Sequence, residues 1–204
     1  MRKFSVKPTL FMIIITLFYT LILSSINAVT VDQIRLNEQL SEQLSFLYVL
    51  DIEPESQDAE HVNELYQQHV NQIQVNDSML YEGLDDNGEI FSYIVPISGN
   101  ALWGELRGIV AISVDFETIL GIDFLSHSET PGLGGRIDEP SFKEQFRGIE
   151  INTDDRDYLV YRPNPGGQVD AISGATGTSN AIKSIFNNNM QEFMSETREA
   201  LQHD

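Results

Sequence analysis

Between Lys7 and Asp32 the chain has no charged residue, and the stretch from Leu10 to Leu23 is apolar almost without interruption. About 20 such residues suffice to cross a bilayer as a helix, so the pattern predicts one transmembrane helix within residues 1–31. Arg2, Lys3 and Lys7 precede the run and an acid-rich sequence follows it. The positive-inside rule then leaves the N-terminus in the cytoplasm and places everything beyond Asp32 outside the membrane. The alternative is a cleaved signal peptide ending near Ala28, because Ser24, Ser25 and Ala28 are small. Ile26 fits the cleavage pattern poorly, which favours a retained anchor. Either reading exports the rest of the chain.

After the apolar run the period changes. Ile34, Leu40, Leu44, Leu47 and Leu50 recur at helical spacing and predict an amphipathic helix over 32–50. The acidic stretch Asp51 to Glu60, which contains Pro54, reads as a linker. A second helix is expected from Glu60 to Ile73, and residues 32–75 together form a helical linker region. Strand patterns occupy 76–204 more heavily. Ser78 to Glu82 and Ile90 to Val95 flank an Asn87-Gly88 hairpin turn. Gly108 to Val114 and Ile119 to Leu125 form a second pair, and Asp157 to Tyr161 a further strand. A short helix is expected near Ser141 to Phe146. The last helix, Ser179 to Leu201, aligns Ala181, Ile182, Ile185, Phe186, Met190, Phe193 and Met194 on one face. The fold class is α+β, an antiparallel sheet flanked by helices and preceded by the membrane helix.

Charge and composition narrow the chemistry. With 31 acidic against 12 basic residues, the net charge of −19 argues against a basic patch for nucleic acid or for an anionic membrane surface. The absence of Cys excludes disulfides, thiolate-bound iron–sulfur clusters and Cys-ligated zinc. Any redox chemistry must come from a bound cofactor. His61 and His69 are eight residues apart and do not form His-Glu-x-x-His, so they read as solvated helix residues. Gly132-Leu-Gly-Gly135 lacks the strand-to-helix spacing of a dinucleotide fingerprint, and no Gly-x-Ser-x-Gly surrounds Ser173. Trp103, the single Trp, reads as a core or interface aromatic.

One segment invites an anion. Asp170-Ala-Ile-Ser-Gly-Ala-Thr-Gly-Thr-Ser179 lies between a strand and a helix, where small residues permit close approach and the free N–H groups of the helix start favour a phosphate. The same residues also suit a plain turn in which Thr178 or Ser179 caps the helix.

The run Asp170-Ala-Ile-Ser-Gly-Ala-Thr176 resembles the recognition sequence of the covalently flavinylated FMN-binding domains, in which a flavin transferase joins FMN, taken from FAD, to the Thr that ends Ser-Gly-Ala-Thr. His127-Ser-Glu-Thr-Pro-Gly-Leu-Gly-Gly135 is similar to the loop these domains carry upstream of that Thr. The family includes the C subunit of the sodium-translocating NADH:quinone oxidoreductase and the G subunit of the ion-translocating ferredoxin:NAD oxidoreductase. Pro96-Ile-Ser-Gly-Asn-Ala-Leu-Trp-Gly104 resembles the former in particular.

The resemblance implies that Thr176 accepts FMN as a phosphoester, with Thr178 as a rival acceptor. It implies that Ser173, Gly174 and Ala175 shape the presenting turn and that Asp170 helps the transferase recognise it. Glu129, Thr130, Leu133 and Gly134 would then lie near the flavin, Leu133 against the ring and Thr130 as a hydrogen-bond donor. The alternative for that loop is a tight structural turn with no cofactor contact. The implied protein is an extracytoplasmic electron carrier in the inner membrane, one component of a sodium-translocating redox complex rather than a self-contained enzyme. Its partners would be the other components of that complex and, during maturation, the transferase. The equivalent component of the ferredoxin-linked complex, a stand-alone flavinylated carrier and a tethered binding module without redox activity are the alternatives.

Overall fold

The computed structural model describes residues 6–76, 78–151 and 158–201. Two compact units divide the chain, residues 1–40 and 41–204. Helix α1 (Lys7–Val49) forms the described part of the first from Lys7 onward, and its residues from Ser41 belong to the second. Among the described residues it is the one helix long and apolar enough to cross a membrane. The expected transmembrane and amphipathic helices are therefore a single helix. No Gly or Pro interrupts it after Pro8, which sits in the first turn where its missing N–H costs no bond. At the change from apolar to polar sequence, Ser25 and Thr30 donate their hydroxyls back to the carbonyls of Leu21 (2.8 Å) and Ile26 (3.0 Å), so polarity there does not break the helix.

In the second unit, helix α2 (Ala59–His69) is followed by six strands: β1 (Val70–Val75), β2 (Ser78–Leu84), β3 (Ile90–Asn100), β4 (Glu105–Ser113), β5 (Thr118–Ser126) and β6 (Ile149–Glu150). They form one antiparallel sheet in chain order. The expected second helix stops four residues early, because Val70 to Ile73 pair with Leu80 to Gly83 instead. His69 is buried at that junction rather than solvated, its Nδ1 2.8 Å from the Leu84 carbonyl. The β2–β3 turn forms at Asn87-Gly88 as expected; Gly88 has φ +79°, and the Asp85 carboxylate accepts the N–H groups of Asn87 (2.9 Å) and Glu89 (2.8 Å).

Both faces of the sheet are covered. A helix here termed α4 (Thr176–Glu192) packs Ile182, Ile185, Phe186 and Met190 into the larger core, together with Val95, Ile97, Leu106, Val110, Phe142 and Phe146. Gly99 permits this approach: a Cβ there would lie 2.7 Å from Ile185 Cγ1. On the other face Phe46 and Val49 at the C-terminal end of α1, with Leu50 just after it, meet Ile94, Ile109 and Ala111. Gly121 is needed there, since its Cβ would come within 2.7 Å of the Val49 carbonyl oxygen. Arg147 fastens the same end: Nη2 donates to the Tyr48 carbonyl (2.6 Å), Nη1 to that of Leu120 (2.7 Å) and Nε to Glu144 (2.8 Å). Tyr48 also donates to Glu144, and burial, reinforced by that carboxylate, raises its phenol well above the ordinary value.

The remaining elements are short. They are two 3-10 turns (Gly134–Asp138 and Glu144–Phe146), α3 (Pro140–Lys143), β7 (Tyr161–Arg162), β8 (Val169–Asp170), a π-helical turn (Phe193–Thr197) that continues α4, and α5 (Arg198–Leu201). Of the expected strand from Asp157 to Tyr161, Asp157 lies outside the described residues and only Tyr161 is extended and paired, in parallel with Val169. The buried Asn187 side chain takes the place of a neighbouring strand for Leu159, accepting its N–H (2.7 Å) and donating to its carbonyl (3.3 Å).

Candidate functional site

The chain turns from β8 into α4 through Ala171-Ile-Ser-Gly-Ala175. Gly174 has φ +81°, a backbone state that side chains disfavour, and the Ala175 N–H donates to the Ile172 carbonyl (3.0 Å) to close the turn. Ser179 Oγ accepts the Ile172 N–H (3.0 Å) from one turn into the helix. Ala175, not Thr178 or Ser179, occupies the cap position. Thr176 is thus the first helical residue and is exposed, at the end where unpaired N–H groups and the positive pole of a 17-residue helix favour a phosphate. Thr178, only two residues on, is 1% exposed and donates its hydroxyl to Glu129 Oε2 at 2.5 Å. Ser173 and Asp170 are exposed, and Asp170 pairs with Arg162 (3.0 Å).

The loop before the 3-10 turn is folded on itself, with the Thr130 carbonyl accepting the N–H groups of Leu133 (3.1 Å) and Gly135 (2.9 Å). Gly132 has φ +75°. Leu133 projects outward, 49% exposed, and its Cδ2 lies 3.8 Å from where a Cβ on Gly174 would be. Thr130 is exposed and Gly134 is buried. A side chain on Gly134 would strike both Thr178 and Glu129, so the glycine keeps room for their hydrogen bond.

A third segment completes the site. The β3–β4 loop, closed by the Ala101 N–H to the Gly104 carbonyl (2.8 Å), carries Leu102 and Trp103, 55% and 65% exposed. Leu102 lies over the first turn of α4, its Cδ1 3.2 Å from where a Cβ on Gly177 would be. Trp103 is therefore not a core aromatic. Large apolar side chains of Leu102 and Leu133 flank the start of α4, with Trp103 beside Leu102, and this is where a planar aromatic group attached to Thr176 would find contact. The residues fit a flavin phosphate: an exposed hydroxyl at a helix start, glycines at the closest approaches and apolar side chains around them.

Residues 102–191 match the FMN-binding domain family. The matched segment runs from the Leu102 loop to the end of α4 and so contains all three sides of the site. The C subunit of the Na(+)-translocating NADH-quinone reductase of Yersinia pestis is 37% identical over 126 residues, covering 56% of this chain and 47% of that protein. The G subunit of the ion-translocating oxidoreductase complex of Methanosarcina acetivorans is 39% identical over 104 residues, covering 51% of this chain and 52% of that protein. The chain thus spans about half the length of these relatives. Among solved structures, NqrC of Shewanella oneidensis superposes with a TM-score of 0.67 at 21% identity, covering 81% of this chain and 99% of that one. That likeness shows the fold, an antiparallel sheet with helices, as the sequence led us to expect. FMN is the cofactor to which the family match points.

Sequence reasoning missed two features of this site. The first is that Leu102 and Trp103 border it; an apolar pair in a hairpin loop, where polar residues are the norm, was the available signal. The second is that the Glu129 side chain turns inward and is buried.

Proposed function

We propose that this protein is a membrane-anchored, extracytoplasmic electron carrier holding one FMN as a phosphoester of Thr176. The observation that carries the proposal is the contrast between two neighbouring hydroxyls: Thr176 is exposed among Leu102 and Leu133, whereas Thr178 is 1% exposed and bonded to Glu129. A transferase can reach the first and not the second. In the transfer, the Thr176 oxygen bonds to the FMN phosphorus of FAD, the bond from that phosphorus to the AMP phosphate breaks, AMP leaves and the hydroxyl proton is released. The bound flavin supplies electron transfer without an acid or base from the protein. This chain's own contribution is to fix the phosphate at the start of α4 and to give the ring an apolar seat. The relatives' names support a physiological setting as a redox component beside the other proteins of a sodium-translocating NADH-quinone reductase-like complex. Membership of an ion-translocating oxidoreductase complex is the second reading, favoured by the 39% identity to the Methanosarcina protein.

Protein made together with a flavin transferase is expected to be yellow and to keep its flavin fluorescence on a denaturing gel. Colourless protein would favour a tethered binding module instead. The ring position has its own test. Leu133→Ala should retain FMN while shifting the flavin absorption spectrum or midpoint potential, since an apolar contact is exchanged for water. An unchanged spectrum and potential in fully loaded Leu133→Ala would make the loop purely structural.

Arg2, Lys3 and Lys7 before the apolar run support a cytoplasmic N-terminus. The intact mass of the membrane-extracted protein should include residues 1–28. A mass lacking them would show a processed signal peptide.

A further inference from the structure

Glu129 is 5% exposed, yet among the described residues no Lys or Arg forms an ion pair with it. A buried carboxylate without a cation is costly unless hydrogen-bond donors replace the lost water. Three donors do so, and they come from two other segments. Oε1 accepts the backbone N–H groups of Leu102 (2.9 Å) and Trp103 (3.2 Å), while Oε2 accepts the Thr178 hydroxyl (2.5 Å). Its own backbone is held too, the Glu129 N–H donating to His127 Nδ1 (3.1 Å), whose Nε2 meets Asp138 (2.8 Å). One side chain thereby joins the Leu102 loop, the Leu133 loop and the first turn of α4.

We propose that Glu129 is the positioning residue of the flavin seat: its buried carboxylate holds Leu102 and Trp103 in place around Thr176. The inference rests on the reading of Thr176 as the FMN attachment point. Two features of the chain make Glu129 suited to the task. The N–H groups it accepts belong to the two exposed apolar residues themselves, so their backbone cannot move without breaking a bond to a buried anion. The Thr178 hydroxyl lies two residues from Thr176 on the same helical turn, so the attachment point and its apolar surroundings share one fastening. Gly134 leaves the space this requires.

The single Trp in the sequence makes the proposal measurable, because Trp emission reports Trp103 alone. Full-length protein in detergent, flavinylated by co-expression with a transferase, would be compared as wild type, Glu129→Ala, Glu129→Gln and Thr178→Val. Flavin loading is read first on a denaturing gel, and the signals are then expressed per bound flavin. Relative to apo protein, wild type should show strong quenching of Trp103 by the nearby flavin and high flavin fluorescence anisotropy. Glu129→Ala should recover Trp emission at least twofold and lower the anisotropy. Glu129→Gln should behave as wild type, since its carbonyl still accepts both N–H groups and its amide can donate to Thr178. Thr178→Val, which cuts only the tie to α4, should fall between, and it carries the test if Glu129→Ala does not fold. A loaded, folded Glu129→Ala protein with wild-type quenching and anisotropy would overturn the proposal, whatever its melting temperature. A wild type without covalent flavin, or flavin persisting in Thr176→Ala, would overturn the underlying attachment and is seen on the gel before any quenching is measured.

Discussion

Thr176→Ala is expected to reduce covalent flavin to background, with no fluorescent band on a denaturing gel even when the transferase is abundant. A phosphoester needs a hydroxyl, and the nearest substitute is Thr178, which is 1% exposed and engaged with Glu129. To serve as acceptor, Thr178 would have to leave its bond and expose a buried carboxylate, at a cost of about 1–3 kcal/mol or more for the group left unsatisfied. Thr178→Ala should therefore stay fluorescent while the protein becomes less stable. The substitution at Thr176 removes an exposed side chain from the first turn of α4, so its melting temperature should stay near that of wild type. A fluorescent Thr176→Ala band that disappears in Thr178→Ala would move the attachment two residues along the helix.

The Ser-Gly-Ala-Thr resemblance points to Thr176, but the different surroundings of the two threonines could not be read from the sequence. Both follow small residues at the start of a helix, and from those residues alone Thr178 suits a helix cap. What separates them is the contact with Glu129, 49 residues away, and a side-chain bond of that span leaves no periodic trace. Local signals fared better. The Asn87-Gly88 turn, the alternating strands on either side and the apolar face of α4 were all legible, because each depends on neighbours within a few residues. Strand β1 shows the boundary between the two cases. Val70, Ile73 and Val75 are spaced ambiguously between helix and strand, and the pairing of Val70 to Val75 with Ser78 to Gly83 decides the matter. The continuity of α1 was missed for another reason: a change of residue type marks where a helix leaves one environment for another, and only a breaker marks where it ends.

Phe186→Ala should cost about 3–5 kcal/mol of stability, as expected for an aromatic ring removed from a packed core. Phe186 is 0% exposed and its ring centroid lies 6.1 Å from that of Phe146, itself 0% exposed, which in turn meets Phe142 at 5.4 Å. These rings join the middle of α4 to the α3 region, and no neighbour can fill the void without abandoning the others. At about 2–4 °C per kcal/mol for a protein of this size, the melting temperature should fall by about 10 °C. The expected effect on the cofactor is smaller, because the start of α4 is held separately by Ser179 to Ile172 and Thr178 to Glu129. Well below the new midpoint, Phe186→Ala should therefore still carry covalent flavin with a near-normal spectrum. Circular dichroism melting of wild type and variant, both flavinylated, checks the first part, and a spectrum at low temperature checks the second. A melting temperature within about 2 °C of wild type, less than a single kcal/mol would produce, would mean that the cluster around Phe186 is not what holds α4 to the α3 region. A normal loss of stability accompanied by a disturbed flavin spectrum would mean instead that the seat around Thr176 depends on the whole length of the helix rather than on its first turn.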